Sequence, residues 1–335
     1  MIVDIVYGFL GSGKTTFITR ILNEWGRQER IAVLVNEFGE VGIDGDLLRG
    51  RGGNVVEMPS GCICCSLQSD FRSQILELSR TLRPDRVIIE PTGVATVSQI
   101  RSIVEAQLFE DAIDAVHDIL VVDVTGFMDL YRANRHFVES QVRNAQLVLL
   151  NKCDRVDPTY ARLIRDAVVS IYPEVVVLMT EFGAVEWAEY RAALSAAALP
   201  PRDAPTPPRG RPVGQEPPAP PPEAGEPTLS LHPEEDGLGL ESVGYVFEGL
   251  SFDLEALRAL YAQLARPDSG LGQVVRAKGI FRTGDRSVLV ELSSGDVSIQ
   301  PLAPGDRSKL SIIGKNLDRE RIADVLNRSV SVHPV

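Results

Sequence analysis

A glycine-rich segment near the start of the chain sharply narrows its possible folds: Gly8-Phe9-Leu10-Gly11-Ser12-Gly13-Lys14-Thr15. It matches the pattern G-x-x-x-x-G-K-[ST], follows an apolar β-branched run and opens a helical pattern, which is the context that this pattern requires. The glycines let backbone N–H groups turn towards phosphate oxygens, and the positive end of the following helix assists them. We therefore predict a phosphate-binding loop, with contacts from Gly8, Gly11, Ser12, Gly13, Lys14, Thr15 and Thr16.

Within this loop, two side chains have specific predicted roles. Lys14 is expected to reach the β and γ phosphates of a nucleotide, and the Thr15 hydroxyl is expected to ligate Mg²⁺.

Strand and helix patterns alternate over residues 1–198, which is typical of βαβ units with a parallel sheet. Buried strands are predicted at Ile2–Tyr7, 31–36, Arg86–Glu90, 118–123, Leu147–Asn151 and 175–179, and helices at 15–27, 71–82 and 159–170. The predicted fold class is α/β: a P-loop NTPase-type, mostly parallel sheet with flanking helices.

The remainder of the chain divides at a proline-rich segment. Thirteen of the 22 prolines lie within residues 199–233, and such a composition favours an extended linker over a packed core. We predict a linker over 199–240 and a smaller α+β domain over 241–335. Its predicted strands are 243–248, 274–283, 287–292, 297–302 and 309–313, with helices at 253–265 and 318–327.

Charge and hydropathy argue against two classes of partner. The formal net charge is −12, whereas a nucleic-acid-binding protein needs a basic face. No apolar run approaches the roughly 20 residues of a membrane span, and the first residues lack the basic start of a secretory signal. We therefore expect a cytoplasmic protein that binds neither nucleic acid nor membrane.

A second motif bears on the choice of nucleotide. Asn151, Lys152 and Asp154 follow the apolar run 147–150 and match the guanine motif N-K-x-D. A carboxylate accepts hydrogen bonds from both N1–H and the exocyclic amine of guanine, a donor pair that adenine does not offer. Asn151 and Lys152 are expected to brace the base and the loop, so we predict guanine selectivity.

Two acidic residues at strand ends compete for the role of binding Mg²⁺ or its water. Glu90 and Asp123 each begin an acid-x-x-Gly step, ending at Gly93 and Gly126. We favour Glu90, because the strand that runs into it is unbroken and the next loop is rich in small residues. The backbone N–H of Gly93 would then contact the γ phosphate. The alternative role of Asp123 is to cap the turn after its own strand.

Three of the four cysteines, Cys62, Cys64 and Cys65, lie within four residues of each other. Thiolates this close together suit one soft ion, such as Zn²⁺ or Co²⁺, better than they suit a disulfide framework. Three ligands also leave one coordination position open for exchange. The alternatives are buried cysteines that fill a core and a redox pair.

Together, these motifs resemble the CobW family of metallochaperone GTPases, of the SIMIBI class. The resemblance rests on residues 8–16, 36–44, 61–65, 90–93 and 151–154, and on 276–279 and 312–318 near the C-terminus. It implies GTP hydrolysis with Mg²⁺, with Lys14, Glu37 and Glu90 as catalytic residues, and metal binding by the cysteines. It also implies a switch loop containing Glu37 and Glu40, a client metalloprotein and a nucleotide-dependent homodimer.

The chain departs from the family pattern in three places. The junction region carries only His232 where many relatives carry several histidines, Pro91 stiffens the loop after Glu90, and Phe281 alone represents the aromatic residues expected after 278–279.

These observations predict a GTP-hydrolysing metallochaperone that delivers Zn²⁺ or Co²⁺ to a client protein. Because no arginine finger is assignable, hydrolysis should be slow without a partner. The alternatives are a GTPase that serves a corrinoid-dependent enzyme, a P-loop kinase, and a metal sensor whose affinity ignores nucleotide.

Overall fold

A computed structural model of the chain describes residues 1–26, 28–35, 54–57, 67–91, 97–106, 109, 112–197, 240–293, 295–305 and 307–330. These residues form two sheets, one before and one after residues 198–239. The limits of the predicted linker, at 199 and 240, fall at or within one residue of that undescribed stretch. The linker prediction itself lies outside the described residues.

The first sheet has seven strands in the order β3-β2-β4-β1-β5-β6-β7, and every described pair of neighbours is parallel. Continuous burial of β2, β4 and β6 explains the apolar runs within them, because helices cover both faces of a parallel sheet. The strands are β1 Ile2–Tyr7, β2 Ile31–Val35, β3 Asn54–Glu57, β4 Arg86–Glu90, β5 Ala115–Asp123, β6 Leu147–Asn151 and β7 Val176–Met179. The predicted α/β class is confirmed.

The helices described alongside this sheet are α1 Lys14–Trp25, α2 Leu67–Thr81, α3 Val97–Val104, α4 Phe127–Ala133, α5 Arg135–Asn144, α6 Pro158–Ile171 and α7 Trp187–Ala196. One apolar core, including Ile100 and Ile164, lies on one face of the sheet, and a second, including Phe17 and Trp25, lies on the other. Of the helices in the described part of the chain, none has the length and apolar character needed to cross a membrane.

A buried charged cluster joins β1, β4, β5 and α7. The Asp4 carboxylate is fully buried and lies 2.5 Å from a guanidinium nitrogen of Arg86. It also contacts His117 Nδ1 at 2.8 Å and accepts a hydrogen bond of 2.7 Å from the hydroxyl of Tyr190. Burial raises the pKa of Asp4, but the hydrogen bond with His117 and the charge of Arg86 outweigh it and hold the pKa below its ordinary value.

The second sheet is antiparallel, with strand order β11-β10-β9-β12-β8. Its elements are β8 Glu241–Glu248, α8 Leu254–Leu264, β9 Gln273–Thr283, β10 Arg286–Ser293, β11 Asp296–Leu302, β12 Arg307–Lys315 and α9 Arg319–Arg328. Phe281 lies at the centre of its core, edge-to-face with Phe252 and Tyr261. The expected small α+β unit is confirmed, with each element within about two residues of its predicted limits.

The second sheet contacts the first part of the chain beside the glycine-rich loop. Phe9 and Leu10 pack against the buried side chains of Leu240 and Ile313. Ser293 Oγ also donates a hydrogen bond of 3.4 Å to the carbonyl of Gly11. The loop therefore has apolar and polar contacts with the C-terminal sheet.

Candidate functional site

The glycine-rich loop leaves β1 at Tyr7 and enters α1 at Lys14. Gly8, Gly11 and Gly13 have φ values of 139°, 77° and 104°, a region that side-chain-bearing residues rarely adopt. A Cβ atom on Gly8 would also collide with the carbonyl of Val121. Backbone conformation and lack of space thus both require glycine where the sequence places it.

Lys14 curls over this loop. Its side-chain nitrogen donates hydrogen bonds of 3.0 Å to the carbonyl of Gly8 and 3.2 Å to that of Phe9, and the residue is 5% exposed. Beside it, the buried hydroxyl of Ser12 has no hydrogen-bond partner among the described residues. A phosphate group would satisfy this hydroxyl, so the loop fits the predicted ligand.

Thr15, in the first turn of α1, and Glu90, at the end of β4, come together beside the phosphate loop. The Thr15 hydroxyl lies 3.3 and 3.4 Å from the two carboxylate oxygens of Glu90, which is 5% exposed at the end of β4. A hydroxyl and a carboxylate are the oxygen ligands that Mg²⁺ accepts. The two predicted magnesium ligands therefore adjoin the phosphate loop, and the next residue, Thr16, is exposed.

Asn151 joins three segments at the end of β6. Its side-chain amide donates a hydrogen bond of 2.9 Å to the carbonyl of Ser12 in the phosphate loop. Its oxygen accepts hydrogen bonds of 3.1 Å from the Thr180 hydroxyl and 2.9 Å from the N–H of Gly183. The first residue of the guanine motif is therefore buried and hydrogen-bonds both the phosphate loop and the loop after β7.

Of the other motif residues, Lys152 immediately precedes a short 3₁₀ turn, Cys153–Arg155, and Asp154 lies within it. Lys152 adopts the left-handed conformation, with φ of 64°, and its ammonium lies 2.7 Å from Asp123 Oδ2. Asp154 is exposed beyond it. The thiol of Cys153 donates to the carbonyl of Leu150 at 3.1 Å, and burial raises its pKa.

Several predicted site residues lie outside the described part of the chain. These are Glu37 and Glu40 of the expected switch loop, Gly93, and Cys62, Cys64 and Cys65 of the expected metal site. Their roles stay predictions.

Thr180 and Gly183 are site residues that the sequence analysis did not identify. Both lie just beyond β7, the strand next to β6, and both bond to Asn151. A usable signal was present, because carboxyl ends of adjacent parallel strands meet at one edge of a sheet. The small residues after β7 therefore had to lie near the guanine motif.

A cavity of about 730 Å³ lies between the end of β5, helix α4 and the C-terminal sheet. Its walls include Phe9, Asp123 and Asp129 from the first part of the chain, and Gln273 and Lys315 from the second. Arg155, which follows Asp154, forms an ion pair across it with Asp296. One wall of this cavity thus adjoins the guanine motif.

Three known proteins with related names are similar in sequence to part of this chain. The chain is 39% identical to the zinc chaperone YeiR of Escherichia coli over 155 residues, covering 46% of this chain and 47% of the relative. It is 33% identical to the zinc chaperone CobW of a Sinorhizobium species over 196 residues, covering 50% and 54%. It is 31% identical to zinc-regulated GTPase metalloprotein activator 1 of Dictyostelium discoideum over 212 residues, covering 51% and 44%. The chain thus spans about half the length of each relative.

Family models cover much more of the chain. The model described as "CobW/HypB/UreG, nucleotide-binding domain" matches residues 2–178, and the model described as "Cobalamin synthesis protein cobW C-terminal domain" matches residues 241–330. The first match contains the phosphate loop, the Thr15–Glu90 pair and the N-K-x-D motif, and the second contains the antiparallel sheet. This chain therefore belongs to the CobW family.

Proposed function

We propose that this chain binds GTP and hydrolyses it to GDP and phosphate. The observation that carries the proposal is the hydrogen bond from Asn151 to Ser12, which joins the phosphate loop to the guanine motif in one site. Lys14 and the loop N–H groups hold the β and γ phosphates, and Asp154 accepts the two guanine donors. The N–H of Gly93 meets the γ phosphate when the triphosphate is bound.

Thr15 and Glu90 would hold Mg²⁺, directly or through its water, and the bound ion would supply positive charge beside the phosphates. Glu37 belongs to the segment that responds to the γ phosphate. Because the chain offers no assignable arginine finger, we expect slow turnover in the absence of a partner.

The cargo that we propose is Zn²⁺ or Co²⁺, held by Cys62, Cys64 and Cys65 and passed to a client metalloprotein. Support comes from the soft thiolate ligands and from the names of the relatives, two of which are zinc chaperones. Such thiolates need a reducing compartment, so we place the protein in the cytoplasm. The same proposal includes a homodimer whose formation depends on nucleotide.

Delivery requires that nucleotide state and metal affinity be coupled. A change from nearly full retention to nearly full release takes roughly a 10⁴-fold difference in affinity, about 5.5 kcal/mol. Coupling of binding free energies is reciprocal, so metal must tighten GTP binding by the factor by which GTP tightens metal binding. This reciprocity separates a chaperone from a GTPase that merely carries a metal site.

The test measures Zn²⁺ and Co²⁺ affinity with Mg²⁺-GTP, with Mg²⁺-GDP and without nucleotide. We expect affinity to depend on nucleotide in the wild type. The double variant Cys64→Ser, Cys65→Ser should lose tight metal binding and keep GTP binding, since a hydroxyl is a poor soft-metal ligand.

Cys153→Ser is the matched control, because it removes the cysteine outside the cluster and should leave metal affinity unchanged. Retention by the double variant of both thiolate-type Co²⁺ absorbance and nucleotide-dependent affinity would refute the assignment of the metal site. Metal affinity that ignores nucleotide in the wild type would refute the chaperone mechanism.

A further inference from the structure

Asp123 lies at the end of β5, opposite Asn151 of the neighbouring strand β6. Its two carboxylate oxygens have different partners. Oδ2 accepts from the ammonium of Lys152 at 2.7 Å, while Oδ1 accepts from the N–H and the hydroxyl of Thr125 at 2.9 and 2.6 Å. With both oxygens engaged and only 12% of the side chain exposed, the orientation of this carboxylate is fixed.

Lys152 is thereby fixed at both ends of its side chain. Its backbone holds the left-handed conformation that begins the 3₁₀ turn, and its ammonium is anchored on Asp123 across the sheet edge. The side chain is 17% exposed. The methylene stem between these two anchors is an apolar surface, and Asp154, the residue that reads the guanine edge, follows two residues later.

Asp123 was also the competing candidate for the magnesium ligand, and the geometry separates the two acids. The Thr15 hydroxyl lies within 3.4 Å of both Glu90 oxygens, whereas Asp123 faces the cation of Lys152. A divalent cation placed against the same carboxylate would be repelled by that ammonium. Glu90 thus belongs to the phosphate side of the site and Asp123 to the base side.

We propose that Asp123 is a positioning residue for guanine binding and acts through Lys152. It anchors the lysine so that the stem supports the plane of the purine while Asp154 accepts from its edge. It also neutralises the ammonium, because an unpaired charge is costly in a site that is mostly buried. This inference rests on the proposed binding of guanine nucleotides and adds a residue outside the N-K-x-D motif.

The test compares GDP affinity in four proteins: wild type, Asp123→Asn, Lys152→Met and the double variant. The amide of Asp123→Asn retains the shape and keeps an acceptor for Thr125, but loses the charge that anchors Lys152. We expect Asp123→Asn to weaken GDP binding about tenfold and to have no further effect in the Lys152→Met background, since residues that act as a unit are not additive.

Each affinity is measured with Mg²⁺ and again with excess chelator. A residue that ligates Mg²⁺ would affect affinity only when the ion is present. The anchoring role predicts the same loss in both conditions. Asp129→Asn is the matched control, because Asp129 lines the same cavity, carries the same charge and is 87% exposed on α4. It should bind GDP as the wild type does.

Three results would overturn the inference: an Asp123→Asn affinity equal to that of the control, an equal loss in both lysine backgrounds, or a loss seen only with Mg²⁺. If Asp123→Asn does not fold, Thr125→Ala replaces it. Its hydroxyl orients the carboxylate, so a smaller loss that vanishes with Lys152→Met supports the inference, and no loss overturns it. A wild type that binds ADP as tightly as GDP would instead refute the proposed guanine site itself.

Discussion

The side-chain amide of Asn151 donates a 2.9 Å hydrogen bond to the backbone carbonyl of Ser12, 139 residues earlier in the chain. This bond is buried and connects the end of β6 to the centre of the phosphate loop. The same side chain accepts from Thr180 and Gly183 after β7. One residue therefore fixes the relative positions of the segments that we assign to phosphate and to base.

Replacing Asn151 with alanine should both destabilise the protein and weaken nucleotide binding. The carbonyl of Ser12 and the N–H of Gly183 would lose a partner in a buried site, at a cost of about 1–3 kcal/mol for each group left unsatisfied. We expect the free energy of unfolding, measured in urea, to fall by a few kcal/mol, and GDP affinity to fall with it.

Asn144→Ala is the matched control for this variant. Asn144 also donates its side-chain amide to a carbonyl, that of Ser140, but in an exposed position within one helix. The control should unfold at nearly the wild-type urea concentration. Equal stability of the two variants would contradict the idea that the hydrogen bonds of Asn151 hold the phosphate loop and the loop after β7 together.

Glu90→Gln should impair Mg²⁺-dependent steps selectively. The amide keeps the size of the side chain but loses the charge that faces Thr15, and changes next to a metal typically cost 10- to 100-fold in affinity or activity. We expect a loss of roughly that size in GTP turnover and in Mg²⁺-dependent GTP affinity, with GDP affinity in chelator unchanged. The control is Glu24→Gln, on the exposed side of α1, which should behave as the wild type. A GTP turnover of Glu90→Gln equal to that of this control would exclude the magnesium role.

Asp154→Asn should change the preferred base. The amide offers one acceptor and one donor where guanine presents two donors, so affinity for guanine nucleotides should fall roughly 10- to 100-fold, the range for hydrogen bonds to a charged group. Xanthine carries an oxygen in place of the exocyclic amine and accepts from the amide. The variant should therefore gain affinity for xanthosine diphosphate, and an unchanged preference for guanine would show that a different loop reads the base.

Asp4→Asn should destabilise the protein by an amount that depends on pH. Removing the charge leaves the buried Arg86 with Glu29 as its remaining carboxylate partner among the described residues. Breaking a buried pair costs about 3–5 kcal/mol. The folded pKa of Asp4 lies below its ordinary value, so the contribution of the carboxylate is complete above its unfolded pKa of about 3.9 and is lost as the pH falls through the folded pKa.

The measurement is the free energy of unfolding of wild type and variant between about pH 5 and pH 3. The difference should shrink as the pH falls below about 4. Asp166→Asn removes a carboxylate that is 66% exposed and paired with Arg165, so it should cost under about 1 kcal/mol throughout. A difference for Asp4→Asn that grows as the pH falls would contradict the assigned direction of the pKa shift.

The elements best predicted from the sequence were those with a strong local signal. The buried strand β1, the glycines after it and the helix from Lys14 were evident because apolar runs and glycine positions act locally. Helix α5 was missed, since only Val138 and Val142 of its ten residues are buried and its apolar pattern is correspondingly thin. Strand β3 was also missed, because its four residues are too few to show a period.

The choice between Glu90 and Asp123 shows a different limit. Both residues end a strand of the parallel sheet and both begin an acid-x-x-Gly step, so their sequences are nearly equivalent. Their partners differ because β4 and β5 lie on opposite sides of β1. Strand order is a property of the whole sheet, and no short window of sequence contains it.

Phe9 and Leu10 occupy positions that the pattern G-x-x-x-x-G-K-[ST] leaves open, and both pack against Leu240 and Ile313. For phosphate binding, these two side chains are interchangeable with many others, because backbone N–H groups do that work. Here they also pack against the C-terminal half of the chain. A loop with small residues at these positions would keep the proposed phosphate contacts but would lose the apolar contact between the two halves. Substitutions in this loop and in the facing residues of the C-terminal half therefore depend on each other.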